Sequence, residues 1–376
     1  MIAKNKKTYF SGLNEIRGIA AIVVLIQHIE QFKSKENVAN IFDKRITAFL
    51  FCNMGFYAVM LFFILSGFLI THLLLEEKEH NGKINYFKFC MRRVLRIWPL
   101  YYLILITAFI IMPSLNNTVD LFKYNTFYHN EILVTNYANL NTILLYILFL
   151  PNVLLFWHHK IIIGASHLWS IGLEEQFYTV WPLFIIFINK KKIGYFFSTM
   201  VLLYIFVSLT QNKITDKFET AFIFQYLVIG SAGAYFYHKH KKTITRYSAL
   251  PQIYILICGA ISLLMYKPFF SIPVQFYLLS FLFLFFLYFT IDNNNSLAVR
   301  NNFLSKFGII SYGVYLYHPL IMFLVFPIAA KHFSNNMFLY NLFVYCAVFI
   351  LSFIVSHYSY KYFESYFLRI KEKKFN

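Results

Sequence analysis

Long apolar runs separated by short polar breaks dominate this sequence. Ten of them approach the roughly 20 residues that a helix needs to cross a bilayer. They lie at about 13–30, 54–75, 97–113, 171–188, 193–209, 218–237, 249–266, 273–291, 308–327 and 337–359. An eleventh run, 141–157, is shorter and is broken by Pro151 and Asn152. The pattern predicts an all-α integral membrane protein of about ten transmembrane helices. It forms one membrane domain over residues 1–376, and no appended soluble domain is expected.

Basic residues decide how the eleventh run is treated, because cytoplasmic loops carry the excess of Lys and Arg. If 141–157 does not cross, both termini are cytoplasmic and 24 of the 34 Lys and Arg residues fall inside, against 10 outside. If it crosses, every later loop flips and the balance becomes 15 inside against 19 outside. The first arrangement is therefore expected, with 141–157 a re-entrant or surface-lying extracytoplasmic hairpin. Non-helical backbone at membrane depth survives only when it is buried in protein or lines a cavity, so the long extracytoplasmic stretch 114–170 that contains this hairpin is expected to help wall a site.

Composition agrees with this reading: 59% of residues are hydrophobic and only 13% charged, against about a quarter charged in soluble domains. The net charge of +18 follows from membrane topology, and nucleic acid is not an expected partner. Cys52, Cys90, Cys258 and Cys346 are scattered, with no metal or disulfide spacing. Glu15, Arg17 and His28 interrupt the N-terminal apolar run and no small-residue cleavage site follows. That run reads as an uncleaved first helix rather than a signal peptide.

Ionisable residues inside spans are costly and mark function. Arg17 and His28 are eleven residues apart, which on a helix puts them within about 20° of one face and roughly 16 Å apart along the axis. Interfacial anchoring of the two is the alternative. Three of the chain's eight arginines, Arg92, Arg93 and Arg96, occupy five positions. Lys would serve the charge rule equally, so Arg points to multidentate phosphate binding, against a plain basic loop. If the segment is helical, Arg93 and Arg96 lie on one side. In His167-Leu168-Trp169-Ser170-Ile171-Gly172-Leu173-Glu174-Glu175, the histidine and Glu174 nearly share a face if the helix starts early enough, and helix capping is the bland account of the acidic pair. A fourth block, Ser311-Tyr312-Gly313-Val314-Tyr315-Leu316-Tyr317-His318, places a histidine and three tyrosines within a span. Such a histidine is more often a hydrogen-bonded core residue than a catalyst, so His318 is expected to play a supporting part. His72, His158, His159, His238 and His240 are expected at helix ends or in loops.

These four blocks, in this order, resemble the membrane-bound acyltransferase-3 family of bacterial enzymes that O-acylate envelope sugars. The resemblance covers nearly the whole chain. It rests on Arg17 with His28, the Arg93–Arg96 pair, the His167 block with its glutamates, and the block from Ser311. Many members open the first block Leu-Asp-Gly-Leu-Arg-Gly, where this chain has Leu13-Asn14-Glu15-Ile16-Arg17-Gly18.

The resemblance implies a multi-pass protein of the bacterial cytoplasmic membrane that takes acetyl-CoA or another acyl-CoA as donor. A hydroxyl of a cell-envelope glycan or lipid-linked saccharide is the acceptor, and no metal takes part. Arg17, Arg93 and Arg96 would hold the CoA phosphates. His28 would act as general base or transient acyl carrier, with Glu174 or Glu175 orienting an imidazole. His167, Trp169 and Ser170 would meet the sugar, and Ser66, Tyr312, Tyr315 and His318 would support the site. A transporter or flippase for a lipid-linked sugar is the competing class, but the inverted repeats and paired broken helices of many transporters are not evident in the sequence.

Overall fold

A computed structural model describes residues 10, 12–39, 48–121, 139–158, 164–189, 192–209, 223–248, 250–291 and 301–375. All regular elements among them are helical. In chain order they are α1 (Leu13–Lys35), α2 (Ala48–Asn81), α3 (Tyr86–Ile106), α4 (Met112–Thr118), α5 (Leu140–Ile147), α6 (Pro151–His158), α7 (Leu168–Phe187), α8 (Ile193–Leu209), α9 (Gln225–Ser248), α10 (Pro251–Tyr266), α11 (Ile272–Ile291), α12 (Asn302–Ile309), α13 (Ser311–Phe333), α14 (Met337–Tyr358) and α15 (Ser365–Phe375). Wider π turns at Thr107–Ile111 and Ser359–Glu364 carry α3 into α4 and α14 into α15.

The ten predicted runs fall on helical elements, with 218–222 and 249 outside the described residues and the runs 97–113 and 308–327 each divided over more than one element. Five helical stretches among the described residues are long and apolar enough to cross a membrane by length and composition: Phe49–Asn81, Tyr86–Leu115, Ile272–Ile291, Ser311–Phe333 and Met337–Phe375. A sixth appears if α9 and α10, bent by 97°, count as one broken span. The expected count of ten is thus not reached on these criteria. Two of the missing spans have a visible cause: α1 spends apolar length on Glu15, Arg17, Glu30, Lys33 and Lys35, and the apolar part of α8 is short. The protein is a multi-pass membrane protein, and its outward apolar side chains, Leu202, Phe206, Ile255, Leu256 and Ile350 among them, are exposed as lipid-facing groups are.

Between lipid-embedded helices there is little hydrophobic drive to associate, so small residues that admit close backbones set the contacts. Helices α2 and α9 pack more extensively than any other pair. A Cβ added to Gly67 would strike the Leu227 carbonyl, and one on Gly230 the Ile64 carbonyl. Helix α1 sits between two apolar clusters. Leu13, Ile16, Ala20 and Val24 join one with α2, while Ala21, Leu25, Ile29 and Phe32 join the other with α13 and α14. Its orientation, and so the position of every polar group on it, is clamped from both sides.

The broken run 141–157 forms α5 and α6 around a short break in which Phe149 has φ 58°. Tyr101 donates to the Tyr146 carbonyl at 2.7 Å, Tyr102 to Ile147 at 3.0 Å, and Gln176 Nε2 to Phe149 at 2.8 Å. The side chains of α3 and α7 therefore satisfy the carbonyls that the break releases. The α5–α6 pair buttresses those helices from behind and lines neither cavity described below; the part of the stretch 114–170 that does wall them is its C-terminal end, Ser166, His167, Trp169 and Ser170.

Candidate active site

Two cavities abut along α1. The first has a volume of about 130 Å³ and is lined by Arg17 of α1, Ser66 of α2, Arg93 and Arg96 of α3, Ser170 and Glu174 of α7, and Tyr312 and Tyr315 of α13. Residues from five helices and four separate sequence blocks thus converge there. Among the described residues Arg17, Arg93 and Arg96 have no ion-pair partner, whereas the neighbouring Arg92 is paired with Glu77 at 3.0 Å. Arg93 Nε is buried with no hydrogen-bond acceptor, and its guanidinium lies 5.6 Å from the Tyr178 ring centroid. Three guanidinium groups with one carboxylate among them leave a net positive charge around one small cavity, an arrangement that can hold a polyanion.

The two glutamates divide. Glu174 accepts from Ser66 Oγ at 2.8 Å and from Tyr178 Oη at 2.9 Å, a carboxylate held by α2 and its own helix beside the arginines. Glu175 Oε2 accepts from Trp98 Nε1 at 2.8 Å, and its other oxygen is buried and unpartnered. Lys78 fixes α7 against α2 by donating to the carbonyls of Ile185, Ile186 and Ile188 at 2.6, 3.2 and 3.1 Å, a cation at a helix C-terminus. Tyr312 donates to the Ile97 carbonyl at 2.8 Å and ties α13 to α3.

The second cavity, about 600 Å³, is lined by His28, His167, Trp169 and a set of aromatic and amide side chains. Val59 and Tyr315 line both cavities and form the partition between them. Tyr315 Oη donates to the His167 carbonyl at 2.9 Å and lies 2.7 Å from Ser170 Oγ.

The imidazoles settle a proton order. His318 Nδ1 lies 3.0 Å from the Val314 carbonyl. A carbonyl only accepts, so the neutral His318 ring carries its proton on Nδ1 and has its lone pair on Nε2. His28 Nδ1, 2.6 Å away, must then donate, which leaves the lone pair of His28 on Nε2. The tautomers are assigned from these partners. The result is an imidazole with a free Nε2 lone pair, oriented by a second histidine, with the His167 ring 5.5 Å from that of His318.

Arg93 and Arg96 thus lie together as their spacing predicts, and Arg17 lines the same cavity, with Ser66, Ser170, Tyr312 and Tyr315 around them. His28, His167 and Trp169 converge on the other cavity. His167 and Glu174, expected on one face, line different cavities, because His167 ends the turn before α7 begins. Among the described residues no imidazole is hydrogen-bonded to Glu174 or Glu175, and His318 holds the position next to His28 that a carboxylate was expected to take. His72, expected at a helix end, is buried inside α2 against Glu76 at 3.1 Å. His159 lies outside the described residues.

Sequence reasoning passed over Trp98 and Tyr178. The second carried a usable signal, standing four residues after Glu174 on one helix. The first carried none, since its partner is 77 positions away.

A family model described as an acyltransferase domain, acyltransferase-3, matches residues 10–357. Curated relatives share about a quarter of aligned residues. The peptidoglycan O-acetyltransferase OatA of Listeria monocytogenes is 27% identical over 188 residues, 49% of this chain and 25% of that protein. The putative peptidoglycan O-acetyltransferase YrhL of Bacillus subtilis is 26% identical over 47% of this chain and 24% of its own. A putative O-acetyltransferase of Staphylococcus aureus strain COL is 26% identical over 51% and 28%. The chain spans about a quarter of the length of these relatives, and no solved structure matches it. The matched stretch holds every residue of both cavities, so that the unpaired arginines, the oriented imidazole and the all-helical membrane body fall within one family description: this chain belongs to the acyltransferase-3 family.

Proposed function

We propose that this chain is a transmembrane O-acyltransferase, most simply an O-acetyltransferase, that moves an acyl group from acyl-CoA to a hydroxyl of a cell-envelope polysaccharide. On this reading the chain sits in a bacterial cytoplasmic membrane with its termini and its arginine cavity toward the cytoplasm. The histidine cavity faces the other side. Support comes from relatives named as O-acetyltransferases. The carrying observation is the contact between the two cavities at Tyr315 and Val59. A phosphate-binding end and a basic end are thereby joined through one partition.

Arg17, Arg93 and Arg96 hold the CoA phosphates, each by charge-assisted hydrogen bonds. The acyl-bearing arm passes Tyr315 toward His28, a span of the order of 16 Å on α1. His28 Nε2 takes the proton from the acceptor hydroxyl as its oxygen bonds to the thioester carbonyl carbon. The carbon–sulfur bond breaks, and the thiolate leaves and recovers the proton from His28. His318 holds His28 in the tautomer that can do this.

Membranes containing the chain, given labelled acetyl-CoA and envelope glycan, should release free thiol and label the glycan in equal amounts. Release of thiol with no label in the glycan, or no release at all, counts against the reading. A flippase would move saccharide without consuming the thioester.

A further inference from the structure

The two cavities differ sharply in charge. The arginine cavity has three guanidinium groups and a carboxylate in its wall. Among the described residues the histidine cavity is lined by no Asp, Glu, Lys or Arg. Its polar wall is made of imidazoles, hydroxyls and amides, and two of the amides point to a ligand. Gln27 Oε1 and Gln225 Oε1 are buried with no hydrogen-bond partner among the described residues, on side chains 3% and 6% exposed. Gln27 Nε2 donates to the Cys52 carbonyl at 3.3 Å, which fixes the amide so that the oxygen is the free end. Gly55 leaves the space in which that side chain lies. Gln27 also directly precedes the base, His28, on α1.

A buried acceptor without a donor has lost its hydrogen bond to water and gained nothing in return. A hydroxyl supplies the missing donor. A carboxylate supplies none, and with no Lys or Arg in this wall its charge would be buried without a cation to offset the loss of water. We infer that Gln27 and Gln225 are specificity-determining residues for the acceptor. They accept hydrogen bonds from hydroxyls of an uncharged saccharide unit, set a neighbouring hydroxyl against His28 Nε2, and exclude an anionic sugar such as a uronate. Trp169, Tyr226 and Phe276 of the same wall offer the aromatic faces on which a pyranose ring stacks. This inference rests on the acyl-transfer reading for the role of His28, but the saccharide site itself can be tested without transfer.

The full chain in detergent is titrated with a neutral N-acetylhexosamine oligosaccharide and with a uronate oligosaccharide of the same length, and binding is read by saturation-transfer NMR. Thiol release from acetyl-CoA is followed in parallel. The neutral oligosaccharide is expected to bind at least 100-fold more tightly than the uronate. Gln27→Leu and Gln225→Leu should each weaken it about tenfold, the loss of one net hydrogen bond, with CoA binding unchanged. Uronate binding as tight as that of the neutral sugar overturns the inference, and so does a change below twofold in both variants. If a variant does not fold, the wild-type comparison of the two sugars still decides. Sugar discrimination without thiol release would overturn the transfer reading while leaving this site standing. Thiol release without discrimination would do the reverse.

Discussion

His28 Nδ1 and His318 Nε2 lie 2.6 Å apart, although 290 residues separate them in the chain. This contact, with the His318 bond to the Val314 carbonyl, dictates which nitrogen of His28 is free to take a proton. A neighbour fixes the tautomer of a working histidine in many sites. Here the neighbour is a second imidazole and behind it a backbone carbonyl, so no buried negative charge is needed to aim the base.

His28→Ala should lower acyl transfer by 10²- to 10⁴-fold, the usual worth of general-base assistance, while leaving CoA binding intact. Steady-state thiol release together with a CoA titration measures both. Near-normal transfer would remove His28 from the chemistry.

On the proposed mechanism His318 acts through His28, as a positioning residue. His318→Gln keeps an acceptor for the His28 Nδ1 proton and should retain clearly more activity than His318→Leu, which keeps none. The loss should fall on kcat, with KM for acetyl-CoA little changed. Equal loss in both variants, or a loss confined to KM, would contradict the assignment.

Arg93→Lys keeps the charge but loses the planar fork and its stacking beside Tyr178. One charge-assisted hydrogen bond is worth about 1.5–3 kcal/mol, so CoA affinity should fall roughly 10- to 100-fold. Arg92→Lys, whose parent side chain is already paired with Glu77, should change it little. Calorimetry on the solubilised protein distinguishes the two.

Glu174→Leu would strand the Ser66 and Tyr178 hydroxyls at about 1–3 kcal/mol each. Glu174→Gln preserves an acceptor and should be milder. Thermal denaturation in detergent should show the larger drop for Leu, and an equal drop for both would mean that shape rather than hydrogen bonding matters there.

Gly67→Ala places a methyl group against the Leu227 backbone carbonyl, which cannot swing aside as a flexible side chain can. Overpacking of this kind costs about 1–3 kcal/mol, and membrane yield and melting temperature should both fall. The same change at Gly259, where an added Cβ meets nothing within 4 Å, serves as the control and should be tolerated.

The sequence by itself determined the solvent of this protein, the helices and the residues worth watching. Apolar run length is a local property, and ionisable groups such as Arg17, Arg93 and Glu174 stand out against such runs because lipid penalises them. Helical spacing was enough to put Arg93 beside Arg96. Tertiary structure alone decided the partnerships. Only packing of α1 between two apolar clusters brings His28 to His318. Only the start of α7 one residue after His167 parts that histidine from Glu174, and only the seat of α3 against α7 gives Trp98 to Glu175. A hydrogen bond between groups tens or hundreds of residues apart depends on the relative placement of whole helices. That placement is set by close backbone contacts such as those of Gly67 and Gly230, which leave no trace in the periodicity of either strand of sequence.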